Sequence, residues 1–276
     1  MITDELTNTV FLSNYLEEEC PELYASLTNK FKDHFGKDCK IIKSTKDIWC
    51  RDYMPIQVSD NRFVAYDYNP DYLQKEKRYI TKWNDVKGVD FLNYEEMVVK
   101  LNLKMDGGNV VKCGDKIVMT DKVFCENETK SRFSVLKKLE DAFQCEIVFL
   151  LWDKEEIYGH SDGIIHYLGG NRVIFTNYAD FDKAFANNYL KVLEKHFEVI
   201  TLKYDVKEPY QNNWAYVNFL QVGNLVLVPQ LGIPEDEQAL QQIAAALPQC
   251  KVEGVPALEA VRNGGALNCV SWNVRI

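Results

Sequence analysis

Residues 117–152 decide the fold. They begin with the run Ile117-Val-Met-Thr-Asp-Lys122, continue through Arg132-Phe-Ser-Val-Leu-Lys-Lys-Leu-Glu-Asp-Ala-Phe143 and end with Glu146-Ile-Val-Phe-Leu-Leu-Trp152. The first run is short and of β type. In the second, apolar residues recur every three or four positions, which predicts an amphipathic helix. The third reads as a buried strand, so the stretch predicts a strand–helix–strand unit.

Four further runs resemble the first one and are spaced regularly along the chain. The starts of the five runs are 53, 54, 56 and 52 residues apart. The other four are Val10-Phe-Leu-Ser-Asn-Tyr15, Phe63-Val-Ala-Tyr-Asp-Tyr68, Val173-Ile-Phe-Thr-Asn-Tyr178 and Leu225-Val-Leu-Val-Pro-Gln230. A fixed long period is the signature of a repeat architecture. Five units of about 54 residues account for nearly the whole chain.

The same elements recur inside most units. Helices are predicted near residues 22–35, 185–197 and 235–247, and strands at 40–44 and 199–204. The second unit, with Gly88 and the polar segment 69–84, is the least regular. A repeated strand–helix–strand–turn–strand unit predicts one α/β domain over residues 1–276. We expect a closed five-bladed propeller, with helices outside and turns near the central axis.

Composition narrows the class of protein. The chain has 276 residues, a net charge of −9 and 46% apolar residues, as in an ordinary soluble globular protein. The scattered acidic charge argues against a nucleic-acid partner and mildly favours a cationic ligand. Apolar runs stay short of the roughly 20 residues that span a bilayer, so no membrane role is expected. The first residues lack a signal-peptide pattern, and the eight cysteines contain no CxxC pair, so we expect a cytoplasmic protein with reduced thiols.

Residues suited to acid–base and thiol chemistry occupy one phase of the repeat. Counted from the start of the run in each unit, Asp52 lies 42 residues on, Asp106 and His160 lie 43, Asn218 lies 45 and Cys269 lies 44. If the units close into a ring, equivalent positions converge. A single active site built from all five units is therefore predicted.

Short polar and glycine-rich segments surround these residues. They are Trp49-Cys-Arg-Asp-Tyr-Met-Pro55, Met105-Asp-Gly-Gly-Asn109, Gly159-His-Ser-Asp-Gly163 and Asn263-Gly-Gly-Ala-Leu-Asn-Cys-Val-Ser271. Glycine allows unusual backbone angles and the close approach of a ligand. Each segment alone is commonplace, since Gly107-Gly108 suits a hairpin turn and Cys269 suits a core. An active site is favoured because these segments all lie at equivalent positions of the repeat.

The sequence resembles the agmatine deiminase and Porphyromonas-type peptidylarginine deiminase family of the pentein superfamily, in which segments of this kind occur in the same order. The matching elements are Trp-x-Arg-Asp-x-x-Pro at 49–55, acidic-Gly-Gly-Asn at 106–109, Gly-His-x-Asp at 159–162, Tyr-x-Asn-Phe at 216–219 and Gly-Gly-x-x-x-Cys at 264–269. The resemblance spans most of the chain. It implies a five-bladed pentein α/β propeller and hydrolysis of a guanidinium group without a metal or a cofactor.

The resemblance also implies a role for each candidate residue. Cys269 matches the family nucleophile, His160 its general acid/base, and Asp52 and Asp162 the two carboxylates that grip the guanidinium nitrogens. Asp106 stands where the family usually has Glu, beside the histidine, and is expected to orient it. Asn218, at the same phase of the repeat, is expected to contribute to substrate binding.

Physical chemistry supports such a site independently. Guanidinium is a planar cation with a fixed fork of donors that carboxylates bind in bidentate fashion. Two buried carboxylates raise each other's pKa unless a cation lies between them. The guanidinium carbon is a poor electrophile, and thiolate is the strongest side-chain nucleophile for it.

Two positions depart from the family pattern. Asn268 precedes the nucleophile where a histidine is common, and His166 stands where an arginine is common. We expect His166 to be structural, because it lies in the strand after the site. The four histidines contain no HxxxH pair, so a metal site is not indicated.

Four functions remain open from the sequence. The first is a deiminase that converts agmatine to N-carbamoylputrescine and ammonia. The others are deimination of peptidyl-arginine or free arginine, transfer of the amidino group to an amine, and a non-catalytic propeller that binds ligands or partners. The acidic chain and the expected cytoplasmic location favour a small guanidine molecule as the partner. The sequence does not indicate an oligomeric state.

Overall fold

The computed structural model describes residues 1–86 and 88–276, and over these residues fifteen strands form five separate three-stranded sheets. The strands are β1 (Thr9–Ser13), β2 (Lys40–Ile42), β3 (Ile56–Ser59), β4 (Arg62–Asp67), β5 (Val98–Lys104), β6 (Val111–Cys113), β7 (Lys116–Thr120), β8 (Glu146–Leu150), β9 (Ile165–Gly169), β10 (Arg172–Phe175), β11 (Glu198–Thr201), β12 (Leu220–Val222), β13 (Leu225–Gln230), β14 (Lys251–Pro256) and β15 (Ser271–Val274).

Helices of very different length connect the strands. The α-helices are α1 (Leu16–Glu19), α2 (Pro21–Phe35), α3 (Cys50–Tyr53), α4 (Tyr94–Met97), α5 (Lys122–Glu126), α6 (Arg132–Phe143), α7 (Lys183–Leu193), α8 (Glu235–Ala246) and α9 (Leu258–Arg262). Short 3-10 helices cover Asp4–Leu6, Asp71–Leu73, Lys77–Tyr79, Gly107–Asn109, Ser161–Gly163, Tyr178–Asp180 and Asn213–Val217. Within the described part of the chain, none of the helices has the length and apolar character needed to cross a bilayer.

All five sheets have the same pattern of strand directions. The central strands β1, β4, β7, β10 and β13 each pair antiparallel with one neighbour and parallel with the other. A parallel partner requires a long crossover, and α2, α6, α7 and α8 lie in four of these crossovers. In the first sheet the antiparallel neighbour is β15, so the two ends of the chain meet in one sheet, with Thr9 opposite Val274.

The five predicted runs are the five central strands. Four of the predicted runs extend too far, because β1 ends at Ser13, β4 at Asp67, β7 at Thr120 and β10 at Phe175. After β10 the chain enters the 3-10 helix Tyr178–Asp180, where the Asn177 amide donates to Oδ2 of Asp180 at 2.8 Å. Such local side-chain bonds compete with the strand ladder.

The predicted helices are also present, with ends set by their caps. The helix predicted at residues 132–143 is α6, whose first turn is capped by the Ser131 hydroxyl accepting from the Ser134 N–H at 3.2 Å. Asp182 caps α7 in the same way, so this helix begins two residues before the predicted start. The second unit is the irregular one, as predicted, with the four-residue α4 in its crossover.

The apolar faces of the longer helices pack on the sheets. In α6 the buried residues Val135, Leu139, Ala142 and Phe143 recur at three- and four-residue spacing, while the charged residues at 137, 140 and 141 are exposed. The central strand β1 is buried along its whole length. The strands and helices thus form a rigid frame, and the candidate site lies in the connections between its sheets.

Candidate active site

The predicted site residues all lie where the chain leaves one sheet and enters the next. Asp52 is in α3, Asp106 precedes Gly107–Asn109, His160 precedes Ser161–Gly163, Asn218 follows Asn213–Val217, and Cys269 lies shortly before β15. These connections contact one another in order, from α3 to Gly107–Asn109, then to Ser161–Gly163, then to Asn213–Val217. The common phase in the sequence therefore corresponds to one cluster in space.

His160 lies between two carboxylates. Its Nε2 is 3.0 Å from Oδ2 of Asp106, and its Nδ1 is 3.7 Å from Oδ1 of Asp52. Burial alone would lower the pKa of His160, but the negative charge of Asp52 and the hydrogen bond that His160 donates to Asp106 outweigh burial and raise it. The imidazole is therefore held in its protonated form, as a general acid requires.

Asp52 is buried and belongs to a group of like charges. Burial raises its pKa, His160 opposes the rise, and Asp106 and Asp162 add to it. Its Oδ1 accepts the backbone N–H of Gly108 at 3.0 Å. A cation placed among these carboxylates would relieve their repulsion.

Gly108 has no room for a side chain. A Cβ there would lie 2.5 Å from Nδ1 of His160 and 2.7 Å from Oδ1 of Asp52. At the preceding Gly107 a Cβ would lie 1.9 Å from the Arg51 carbonyl oxygen. The Gly-Gly pair, which alone suggests a hairpin turn, forms a 3-10 helix here and allows the close approach of the histidine and the aspartate.

Cys269 is buried beside Asp162. Its Sγ donates to Oδ2 of Asp162 at 3.6 Å, and its backbone N–H donates to Oδ1 of Asn218 at 3.3 Å. Burial raises the pKa of the thiol well above its ordinary value, and Asp162 and Asp52 raise it further. In this arrangement the sulfur is a thiol, and it needs added positive charge to become a thiolate.

Two asparagines hold the cysteine and its neighbouring carboxylate. The Asn268 side chain donates to Oδ2 of Asp162 at 2.8 Å. The Asn218 side chain donates to the backbone carbonyl of Asp162 at 3.2 Å, and the Asn218 backbone carbonyl oxygen accepts the Asn268 N–H at 3.1 Å. Asn218 is fully buried with both ends of its amide bonded to the backbone, so the structure places it behind the reacting groups. Its contribution to substrate binding stays a prediction.

Arg51 joins the first and last of these connections. Its Nε donates to the Asn268 carbonyl at 3.2 Å, and its Nη2 donates to Oδ1 of Asn273 at 2.8 Å. Its backbone N–H donates to the Cys269 carbonyl at 3.1 Å. Arg51 stands in the quoted Trp-Cys-Arg-Asp segment, yet its role in holding the cysteine segment was not predicted.

Two cavities meet at this cluster. One has a volume of about 810 Å³ and is called the Trp214 cavity, since its wall includes Trp152, Asp162, Tyr178, Trp214 and Arg262. The other has about 620 Å³ and is called the Trp49 cavity, since its wall includes Asp47, Trp49, Asp52, Tyr72 and Glu76. Tyr158, His160, Asn263, Gly264 and Cys269 line both. The predicted nucleophile and acid thus face the common space, which is large enough for a small organic ligand.

Tyr72 is a site residue that the sequence reasoning missed. Its hydroxyl donates to Oδ2 of Asp106 at 3.2 Å, and its ring meets the Tyr158 ring edge-on at a centroid distance of 5.0 Å. Tyr72 lies in the irregular second unit, where no periodic pattern marked it. His166 is structural, as predicted, because it is buried in β9 with its ring stacked on Phe219 at 3.8 Å.

Comparisons with known proteins agree on one family. The sequence model of the Porphyromonas-type peptidyl-arginine deiminases matches residues 13–274. A protein of Enterococcus faecalis is 26% identical over 204 residues, and one of Marinomonas sp. is 24% identical over 209; both are named "Putative agmatine deiminase". The matches cover 60% and 62% of this chain and 56% and 57% of the two relatives, so the chain spans just over half the length of these curated relatives.

A solved structure extends the likeness to the fold. The agmatine deiminase of C. jejuni matches with a TM-score of 0.74 at 19% identity, covering 97% of this chain and 93% of that chain. At this level of identity the similarity concerns the fold. The mixed α/β architecture with five small sheets is therefore that of the solved deiminases.

Proposed function

The chain belongs to the Porphyromonas-type peptidyl-arginine deiminase family, and from that premise we propose that it hydrolyses a small guanidine to a ureido product and ammonia. The substrate that we favour is agmatine, which would give N-carbamoylputrescine. Relatives named as agmatine deiminases support this choice. The acidic net charge of −9 is in keeping with a cationic substrate.

We propose further that the five sheets are the blades of a single pentein propeller domain covering residues 1–276. Support comes from the shared pattern of strand directions and from β15, which completes the first sheet from the other end of the chain. A ring of blades would explain why connections from separate units meet at one place.

The observation that carries the proposal is the grouping of Cys269, His160, Asp52 and Asp162 where the two cavities meet. Both carboxylates are buried, and the positive charge of His160 only partly offsets the burial and repulsion that raise the pKa of Asp52. A planar guanidinium would supply that charge and would donate hydrogen bonds in bidentate fashion to Asp52 and Asp162. Binding would also add positive charge next to Cys269 and so lower the pKa of its thiol toward thiolate.

In the first half-reaction Cys269 releases its thiol proton to solvent as the guanidinium binds, and the thiolate sulfur forms a bond to the guanidinium carbon. The bond from that carbon to one terminal nitrogen breaks, and protonated His160 donates its proton to the departing ammonia. An amidino-thioether remains on the cysteine. Asp106 keeps His160 oriented and favours its protonated form, with Tyr72 bonded to the same carboxylate oxygen.

In the second half-reaction neutral His160 takes a proton from water as the oxygen attacks the same carbon. The carbon–sulfur bond then breaks, and the proton of the added hydroxyl passes to the departing sulfur, so the ureido product leaves and Cys269 is again a thiol. One histidine serving first as acid and then as base is ordinary for covalent catalysis in two steps. The net change is the replacement of one guanidine nitrogen by oxygen from water.

The test is an assay of ureido product and ammonia with agmatine, free arginine and a blocked arginine peptide. We expect turnover of agmatine by the wild-type protein and none by Cys269→Ala, which should still bind agmatine. Cys125→Ala, at an exposed cysteine that lines neither cavity, is the matched control and should keep full activity.

The same assay separates the alternatives. Preference for arginine or the peptide would change the substrate but keep the reaction. Amidino transfer would appear as a new guanidine on an added amine without release of a ureido product. Absence of turnover with every guanidine, or full activity of Cys269→Ala, would contradict the proposal and favour a binding protein.

A further inference from the structure

The first eight residues cross the ends of strands that lead away from the reacting groups. The strands β3, β6, β9, β12 and β15 each begin shortly after one of the connections that carry a site residue. Near the far end of β3, the Val58 carbonyl accepts the Ile2 N–H at 3.1 Å. At the far end of β15, the Val274 carbonyl accepts the Asn8 N–H at 3.0 Å. The start of the chain is therefore fixed to the frame on the side away from the site connections.

Asp4 turns its side chain inward from this segment. Its Oδ1 is 2.9 Å from Nζ of Lys112, and the two side chains are only 15% and 7% exposed. Its Oδ2 is 3.7 Å from Nε2 of His166. Burial alone would raise the pKa of Asp4, but Lys112, Arg51 and His166 outweigh burial and lower it. Asp4 is therefore a carboxylate anion at neutral pH.

A small cavity joins Asp4 to one carboxylate of the site. It has a volume of about 20 Å³, which is room for one water molecule, and is called the Asp4 cavity. Its wall includes Asp4, Arg51, Lys112, His166 and Asp162. Asp162 also lines the large cavity that contains the reacting cysteine. Charges across a gap of this size interact strongly, because little water lies between them.

The charges around the Asp4 cavity balance. The described residues in its wall supply two cations, Lys112 and Arg51, and two carboxylates, Asp4 and Asp162. His166 adds no charge at neutral pH, because burial lowers its pKa to about 4. If Asp4 lost its charge, the two cations would share Asp162 as their only counter-ion among the described residues of this wall.

Arg51 connects this balance to the cysteine segment. Its Nε donates to the Asn268 carbonyl at 3.2 Å, and its Nη2 donates to Oδ1 of Asn273 at 2.8 Å. Both acceptors are uncharged, so these bonds orient the guanidinium group of Arg51 without neutralising it. Its positive charge is therefore left to act on the carboxylates around the cavity.

We propose that Asp4 is a positioning residue that neutralises Lys112 and Arg51 and so keeps Asp162 free to bind the cationic head of the substrate. The inference rests on the proposed function, because it assumes that a guanidinium binds to Asp162. Without the charge of Asp4, Asp162 becomes the counter-ion of the two internal cations, and the substrate has to compete with them. The start of the chain thus contributes to substrate binding through Asp162.

Binding to Cys269→Ala tests this role without turnover. Calorimetry would compare agmatine with N-carbamoylputrescine, which has the same chain and amine but an uncharged ureido head. Adding Asp4→Asn should weaken agmatine binding about tenfold, the size expected for one unbalanced charge at an effective dielectric constant of about 20. Binding of N-carbamoylputrescine should stay nearly unchanged. An equal loss for both ligands would mean a merely structural role for Asp4 and would refute the inference.

Restoring the charge balance should restore agmatine binding. Asp4→Glu keeps the charge and should keep most of the affinity. Asp4→Asn combined with Lys112→Met removes one anion and one cation, so agmatine affinity should recover relative to Asp4→Asn alone, and a further loss would refute the inference. The matched control is Asp115→Asn, which removes an exposed carboxylate paired with Lys116 at 2.9 Å. It should leave both affinities unchanged, and a loss as large as that in Asp4→Asn would contradict a specific role for Asp4.

A second variant keeps the test decisive if Asp4→Asn does not fold. Lys112→Met alone leaves an excess negative charge beside Asp162, so agmatine should bind more tightly to it. Weaker or unchanged binding of agmatine to folded Lys112→Met would refute the inference.

Alkylation of Cys269 separates this inference from the proposed function. Iodoacetamide reacts with the thiolate, and mass spectrometry of the peptide that contains Cys269 gives its rate of modification. In Asp4→Asn the unbalanced positive charge should lower the pKa of the thiol, so its alkylation near pH 8 should be severalfold faster than in the wild type. If no guanidine binds to the wild-type protein, the proposed function fails. The alkylation rate still decides whether Asp4 sets the charge beside Asp162 and Cys269, and an unchanged rate would refute that role.

Discussion

Gly108→Ala should inactivate the enzyme while leaving it folded. The added methyl group would lie 2.5 Å from Nδ1 of His160 and 2.7 Å from Oδ1 of Asp52. Both are side-chain atoms, so they can move aside, whereas the methyl group of Gly107→Ala would meet the Arg51 backbone at 1.9 Å. Gly108→Ala therefore displaces the imidazole of His160 and the carboxylate of Asp52, which the mechanism uses, and leaves the sheets and helices in place.

The size of the effect follows from the displacement. The imidazole must retreat by about 1 Å to regain ordinary van der Waals contact. A shift of that size in a catalytic group costs roughly 100-fold in rate, equivalent to about 2.7 kcal/mol of activation free energy. The free energy of unfolding should fall by about 1–3 kcal/mol, as is usual when a methyl group is forced into a packed site.

The measurement is kcat/KM for agmatine together with thermal unfolding of the same preparation. Gly163→Ala is the matched control, because its methyl group would find its nearest neighbour, Cε3 of Trp214, at 3.8 Å, which is ordinary contact. It should keep nearly full activity and stability. A folded Gly108→Ala protein with wild-type kcat/KM would refute the proposed positions or roles of His160 and Asp52.

Three other perturbations have defined outcomes. Asn268→Ala loses the side-chain N–H that bonds to Oδ2 of Asp162. It should raise KM for agmatine about tenfold or more, because a hydrogen bond to a charged group contributes on the order of 1.5–3 kcal/mol. An unchanged KM would exclude a role for Asn268 in positioning Asp162. In Asp106→Asn the pKa of His160 should fall, so the alkaline limb of the pH profile of kcat/KM should move to lower pH. An alkaline limb at the wild-type pH would show that another group titrates there. Burial lowers the pKa of His166 to about 4, so the folded state requires its neutral form. The contribution of neutral His166 to the free energy of unfolding is complete above pH 6.5. It is lost as the pH falls toward 4, by on the order of 3 kcal/mol. The free energy of unfolding, measured against pH, should no longer fall between pH 6.5 and 4 in His166→Gln and should still fall in the control His34→Gln. An equal pH dependence in both variants would contradict this role of His166.

Much of the frame follows from local pattern. The central strands β1, β4, β7, β10 and β13 were predicted because short apolar runs recur at a nearly constant period. The helix at residues 132–143 was predicted with both ends correct, since its periodicity and its Ser131 cap agree. The predicted ends of β1, β4, β7 and β10 were wrong, because a polar residue beyond the last ladder bond can favour a turn as easily as a strand.

The site was predictable as a set of residues, not as a set of contacts. Asp52, Asp106, His160, Asp162 and Cys269 were chosen from phase and resemblance, and all of them lie in the one cluster. Contacts between residues far apart in the sequence could not be predicted from local sequence patterns. The hydrogen bond from Tyr72 to Asp106 is one such contact, and the hold of Arg51 on the segment before Cys269 is another.

The sequence by itself determined the period, the elements within each unit and the residue types that meet at the site. These depend on interactions between neighbours along the chain, through hydrophobic periodicity, capping and glycine. Only the tertiary structure decided which side chain lies beside which. It placed Asn218 behind the cysteine, set His160 between two carboxylates and buried Oδ2 of Asp47 where none of the described residues bonds to it. The physical reason is that burial, unlike periodicity, is a property of the whole folded chain.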